Sequence, residues 1–178
     1  VKKGRKRVNV PGITETRQYL TFSLGEESFA FDVAHVREIL EFTTVTKVPR
    51  TPGFMRGVIN LRGSVVPVMD MGLKFNLSRT EKTVNTCIIV VEVSFGGETT
   101  VMGALVDSVQ EVIELEPDRI EPAPKIGMQV NNGFIKGMGR RDDRFIIILD
   151  IDRVFSSAEL AIGQAMETEG RMGLAENA

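Results

Sequence analysis

Apolar and polar positions alternate with a period of two along most of the chain, which predicts β-strands. In QYLTFSL, Leu20, Phe22 and Leu24 share one face, and in SFAFDV, Phe29, Phe31 and Val33 do. GEE between them supplies a turn, so the two runs predict a β-hairpin. GVINLRGSVVPVMD, residues 57–70, predicts another, with Arg62 and Gly63 at its apex. TCIIVVEVSFGGETTVMGALVD predicts a hairpin turning at Gly96-Gly97, and GFIKGMGRRDDRFIIILDIDRVF one with a charged RRDD tip. Helical spacing is rarer. Asp32 can cap a short helical turn carrying Val36, Ile39 and Leu40. Ser156 and Glu159 stand at capping-box spacing and predict a C-terminal helix over 156–167. VPRTPGF stops regular structure, and residues 76–85 read as a polar loop. DSVQEVIELEPDRIEPAP runs from a strand or helical turn into a Pro-rich loop. Residues 1–16 are expected to form a disordered tail and 168–178 a frayed end.

The pattern repeats. A shift of 80 places Phe54 on Phe134, Arg56 on Lys136, Gly57 on Gly137, Asp70 on Asp150 and Phe75 on Phe155 without a gap. Upstream, a shift of 73 lays VREILEF (36–42) on VQEVIEL (109–115) and Pro49 on Pro122. Chance similarity between two hairpins would not keep Gly, Asp and Phe in register together. The expectation is two copies of one β-rich unit. Short strands with Gly and Pro punctuation favour small barrels, whose closure removes exposed sheet edges.

Composition narrows the class. The chain has 178 residues, 42% hydrophobic and 26% charged, enough to bury a core. Its formal net charge is −2, which argues against a nucleic-acid binder by electrostatics. Lys2, Lys3, Arg5, Lys6 and Arg7 crowd the first seven positions, so the remainder carries −7 (−2 minus 5). A solvated arm is the plain reading of that run. Attraction to anionic membrane or acidic partners comes second, and nucleic acid third, since no aromatic platform accompanies it. Cys87 is the single cysteine, so no intramolecular disulfide can form, and a reducing cytoplasm fits. It lies in an apolar run and reads as a buried, inert thiol. No apolar run reaches the ~18 residues of a membrane span, and no secretory signal opens the sequence.

Catalytic chemistry finds little support. The one histidine, His35, has no local nucleophile or carboxylate motif and reads as a surface residue on the helical turn. One His and one Cys far apart make no metal set. GMG at 137–139 lacks the third glycine of a dinucleotide loop and sits in a hairpin. Asp70 and Asp150 each follow an apolar strand, so capping is their default role. No cofactor is expected. What remains is surface for other proteins: Val36, Arg37, Glu38 and Ile39 after the first hairpin, and Asn60, Leu61, Arg62 and Gly63 at the tip of the next. A guanidinium suits a carboxylate, and Glu38 is a candidate partner for Arg62. From the residues alone, a solvated turn is the first reading of Arg62 and a specific contact the second.

YLTFSLGEESFAFDVAHVREILE, VPRTPGFMRGVINLRGSVVPVMDMGLKF and ALVDSVQEVIEL…IEPAP together resemble the CheW family of bacterial chemotaxis coupling proteins. The resemblance covers about residues 17 to 165. It implies a mainly β fold of two similar five-stranded SH3-like barrels with short helical turns and a C-terminal helix. Subdomain limits near 32–85 and 86–150 are expected, interwoven because the N-terminal strand region and the C-terminal helix cross between halves. It also implies a non-enzymatic scaffold. Such proteins join the C-terminal regulatory domain of the histidine kinase CheA to the cytoplasmic tips of transmembrane chemoreceptors, which are helical hairpins lying in an apolar groove. On that pattern, Val36, Glu38 and Ile39 face the receptor. Gly57 and Arg62 fall where coupling depends on their integrity, with Glu38 and Arg62 as an interacting surface pair. Cys87, Ile88 and Val112 match apolar positions near the groove or the kinase contacts. The basic N-terminus and residues 166–178 depart from the family pattern.

Three alternatives stand beside this. One is a fragment of a receiver-linked coupling protein or of a kinase regulatory domain, although no receiver or ATP-binding domain is expected in these residues. Another is a small-barrel nucleic-acid binder, against which the acidic body counts. An enzyme is the weakest.

Overall fold

The computed structural model describes residue 10, residues 12–123 and residues 133–155. Within them the chain is almost all strand. β1 (Arg17–Leu24) and β2 (Glu27–Asp32) form the first hairpin. Asp32 caps a single 3-10 turn over Val33–His35, its carboxylate accepting from the Ala34 amide. β3 (Val36–Glu41) follows, then the hairpin of β4 (Met55–Leu61) and β5 (Ser64–Asp70). A one-turn helix, α1 (Met71–Lys74), ends that unit. The second unit has β6 (Cys87–Phe95), β7 (Glu98–Val106), β8 (Ser108–Leu115), the short β9 (Ile120–Glu121), β10 (Ile135–Arg141), β11 (Arg144–Leu149) and α2 (Ile151–Val154).

The expected helical turn at Val36–Leu40 is not there. These residues pair with β6, Ile39 opposite Ile89 and Leu40 opposite Ile88. Burial alternates along β3, with Val36, Glu38 and Leu40 half-buried and Arg37, Ile39 and Glu41 exposed. A six-residue helix is marginal alone, and pairing with β6 gives this stretch backbone partners along one edge.

Two sheets result, in the orders β3-β6-β7-β5-β4 and β8-β1-β2-β11-β10-β9. Each is antiparallel except for one parallel pair, β5 with β7 and β11 with β2. Each curls until its ends meet through one continuous stretch of chain. Beyond β3, Thr46 exchanges two backbone hydrogen bonds with Val58 of β4 (2.9 and 2.8 Å). Beyond β8, β9 pairs with β10. Both barrels therefore use the same device.

Each sequence unit reads hairpin, strand, hairpin, and each gives its first hairpin to the other unit's barrel. β1-β2 lies between β8 and β11, and β6-β7 lies between β3 and β5. The expected limit near residue 86 is thus corrected: 87–106 belong with β3, β4 and β5 in the first barrel. β7 passes to β8 through Asp107 alone, whose amide donates to the Ser23 carbonyl.

This exchange explains the uninterrupted apolar run CIIVVEV. Ile88 and Val90 point into the first barrel with Ile59, Val66, Val68 and Leu105. Ile89, Val91 and Val93 point the other way, into a core shared with Leu20, Phe22, Phe29 and Phe31 of the second barrel. Strands covered on both faces lose the two-residue alternation. The second barrel has its own interior of Tyr19, Ala30, Ile113, Leu115, Ile120, Ile146 and Ile148.

Val10 and Ile13 join that interior, 6% and 2% exposed. The expected tail over 1–16 is therefore wrong for its second half, where two aliphatic side chains are buried and the Ile13 amide donates to the Val10 carbonyl at 3.0 Å. The expected C-terminal helix, with Ser156 and Glu159, and the basic run at Lys2–Arg7 lie outside the described residues.

Candidate functional site

The mouth of the first barrel is built by β3 and the β4-β5 turn. Arg62 and Gly63 both take positive φ, 49° and 87°. Two such residues in succession are what a two-residue hairpin needs to follow the strand twist. Asn60 locks the turn, its Oδ1 accepting from the Gly63 amide at 2.8 Å. The turn aims Arg62 across the mouth at β3, where its two terminal nitrogens donate to both Glu38 carboxylate oxygens, Nη1 to Oε1 at 3.3 Å. Arg62 is 71% exposed and Glu38 24%. That hydrogen-bonded carboxylate raises the Arg62 guanidinium pKa above its already high ordinary value. Ile39, the next residue on β3, is 45% exposed on the strand's other face, and Leu61 is half-buried against the barrel core. Val36 packs on the core shared by the barrels. Glu38, Asn60, Leu61, Arg62 and Gly63 are thus brought to one place, while Ile39 lies on the other face of β3.

The other expected contact residues are not. Ile88 is fully buried inside the first barrel, so a partner cannot touch it. Gly57 is packing-critical: its φ is +143°, and a Cβ there would stand 2.1 Å from the Thr46 carbonyl oxygen. It is glycine because two backbones meet there, where the barrel closes. Cys87 begins β6 opposite Glu41 and is half-buried, more open than expected, its thiol donating to the Asn85 carbonyl. Val112 belongs to the other barrel, 53% exposed on β8.

Val112 nevertheless has familiar company. Glu111 beside it pairs with Arg141, at the start of the β10-β11 tip. Under the shift of 73, Glu111 and Val112 are the counterparts of Glu38 and Ile39. Each barrel therefore carries a glutamate on the end strand of its sheet, β3 or β8, followed in sequence by an exposed β-branched residue, and an arginine from the facing hairpin pairs with it. The Glu111–Arg141 pair was missed in the sequence. VREILEF over VQEVIEL pointed to the glutamate, but Arg141 stands one place before the position matching Arg62.

Arg37 was also underweighted. It forms an ion pair with Glu92 on β6, Nε to Oε1 at 3.3 Å. With Arg62 it lines a hollow of about 390 Å³, together with Leu61, Ser64, Val65, Val66 and Val101.

The two aspartates considered for acid–base work are both caps. Asp70 is fully buried and accepts from the Leu73 amide, the Thr80 amide and hydroxyl, and Arg56 Nη1. It ties the 76–85 loop to α1, which leaves no open coordination for a substrate. Asp150 caps α2 through the Asp152 amide. The backbone bonds repeat as well: the amides of Asp70 and Asp150 donate to the carbonyls of Phe54 and Phe134 at 2.6 and 2.8 Å.

A family model described as CheW-like domain matches residues 18–159. The chemotaxis protein CheW of Klebsiella aerogenes is 36% identical over 85% of this chain and 89% of its own. The chemotaxis protein CheW of Rhizobium meliloti is 34% identical over 80% of this chain and 90% of its own. Among solved structures, a scaffolding protein, TtCheW of Thermoanaerobacter tengcongensis, superposes with a TM-score of 0.70 at 35% identity, covering 79% of this chain and 92% of that one.

Proposed function

The chain belongs to the CheW family, and on that premise we propose that it is a non-enzymatic coupling scaffold of bacterial chemotaxis. It joins the regulatory domain of a CheA-type histidine kinase to the cytoplasmic tips of chemoreceptors, and works in the cytoplasm at membrane-associated receptor arrays. It takes no cofactor, spans no membrane and binds no nucleic acid in this role.

The observation that carries the proposal is the mouth of the first barrel. Arg62 of the β4-β5 turn holds Glu38 of β3 in a bidentate pair, and the next residue on that strand, Ile39, exposes its aliphatic side chain. An apolar anchor flanked by oriented charges is the usual composition of a protein-docking patch. Arg62 gives little to folding where it is, because exposed ion pairs contribute little. Its placement makes sense as orientation of a contact surface.

Calorimetric titration of the full chain with the folded regulatory domain of its cognate kinase tests this. Saturable one-to-one binding is expected. Absence of heat, with both proteins folded by circular dichroism, overturns the coupling role.

A further inference from the structure

The two hairpin tips bring an arginine to a glutamate by different routes. In the second barrel the pairing residue, Arg141, is the last rung of the β10-β11 ladder, opposite Arg144, so the sheet sets its direction. In the first barrel the ladder ends at Leu61 opposite Ser64, and the pairing residue, Arg62, stands one step beyond it in the turn. Its φ of 49° lies in the left-handed region, where asparagine or glycine is the usual occupant of such a turn. Its side chain is 71% exposed, so little packing holds it. The direction of Arg62 therefore depends on the backbone of the turn.

Asn60 fixes that backbone. Its Oδ1 accepts from the Gly63 amide at 2.8 Å, and the ring this bond closes contains Leu61 and Arg62. Both must keep their turn dihedrals while the bond stands. Asn60 is exposed, and its side chain makes no other hydrogen bond among the described residues. Under the shift of 80 its counterpart is Arg140, which pairs with Glu121 and lies over the Phe145 ring. A ladder residue such as Arg141 needs no such lock.

We propose that Asn60 is a positioning residue of the docking surface, acting through Arg62. It holds the turn that aims Arg62 at Glu38, and a partner meets Arg62, not Asn60. What the pair docks rests on the coupling role proposed above. The aim of Arg62 does not, and it can be read on the chain alone.

The first test therefore uses the chain alone. Nitrogen-15 NMR follows the Gly63 amide and the Arg62 guanidinium in wild type, Asn60→Ala and Asn60→Asp. In Asn60→Ala the Gly63 amide is expected to exchange several-fold faster with solvent, and the Arg62 signals to move to those of a free arginine. Asn60→Asp keeps an acceptor at the same reach and should keep both wild-type signatures. Unchanged Arg62 signals in Asn60→Ala overturn the proposal.

The second test is a double-mutant cycle, read by titration with the kinase regulatory domain. Failure of wild type to bind overturns the coupling role, and the NMR signals then decide the positioning role by themselves. Given wild-type binding, Asn60→Ala is expected to weaken affinity about threefold or more, and Asn60→Asp to stay within about twofold of wild type. Added to Arg62→Ala, Asn60→Ala should weaken affinity no further. Any fall in melting temperature caused by Asn60→Ala should persist in the double variant, which separates lost stability from lost aim. An affinity loss that adds to that of Arg62→Ala makes Asn60 a contact residue and overturns the positioning role, as does wild-type affinity in Asn60→Ala.

Discussion

Arg62 and Glu38 face each other across the first barrel mouth, and Arg141 and Glu111 do so across the second. Each pair ties a hairpin tip to the end strand of its sheet, and in each the glutamate is followed in sequence by an exposed aliphatic residue. The duplication gives each pair an internal control, since the same geometry occurs twice in one chain with different surroundings.

For Arg62 this separates docking from folding. Arg62→Ala removes an exposed bidentate pair and leaves Asn60 holding the turn. The melting temperature is expected to stay within about 2 °C of wild type, while affinity for the kinase regulatory domain falls at least about fivefold. Thermal melts and titration on the same preparation check both. A drop of many degrees would make Arg62 a folding residue.

Gly57 predicts the reverse. A Cβ at this position would collide with the backbone of Thr46, whose two hydrogen bonds to Val58 close the barrel. The chain must also hold a φ of +143° there, which alanine resists. Gly57→Ala is expected to cost about 3 kcal/mol or more by denaturant melt. Gly25, also at positive φ but with open space around it, serves as comparison, and Gly25→Ala should cost about 1 kcal/mol. Loss of coupling in a Gly57 variant then reports unfolding, not a lost contact.

The hairpins themselves were legible because each has a two-residue turn or a Gly tip between apolar runs, as at Arg62-Gly63 and Gly96-Gly97. The repeat also showed, down to the Asp70 and Asp150 caps. The exchange of hairpins did not show in the pattern: the resemblance implied a crossing of the N-terminal strands, and nothing foretold that of β6 and β7. Local alternation records which face of a strand is buried and carries nothing on which barrel buries it. Only the double-faced burial of Ile88 and Ile89 in CIIVVEV hints that β6 lies between two cores. The same limit misplaced β3, because Val36, Ile39 and Leu40 fit helical spacing and only pairing with β6 decides the matter. Chemistry alone made Glu38 a candidate partner for Arg62, and family resemblance raised that contact above a solvated turn, since the two residues meet only after β3 and β4 enter one barrel.

Val10 and Ile13 were read as tail because no period surrounds them. Their burial with Ile120 and Ile148 makes a definite prediction. Ile13→Ala should destabilise the protein by about 2–4 kcal/mol, and Val10→Ala by about 1–2. Val84→Ala, at a 99% exposed aliphatic position, should be neutral. Urea melts of the three variants decide it, and neutrality of Ile13→Ala would return this segment to the solvent.

Tyr19 provides a pH test. It is the only tyrosine in a chain without tryptophan, so tyrosinate absorbance reports one residue. The ring is 1% exposed in the second barrel. Its pKa is raised, first because burial disfavours the phenolate and second because the Asp32 carboxylate repels it, with Arg17 opposing. The folded value exceeds the unfolded one of about 10, so folding favours the neutral ring. The stability this contributes is complete below about pH 10 and is lost as pH rises through the folded value. Absorbance should show less tyrosinate at pH 10 in the folded protein than the half-ionisation of an exposed ring. The melting temperature should fall more steeply above pH 10 in wild type than in Tyr19→Phe. Asp32→Asn should lower the folded pKa toward its ordinary value, because the repelling charge is gone. A folded protein that titrates normally near 10 would show that Tyr19 reaches solvent.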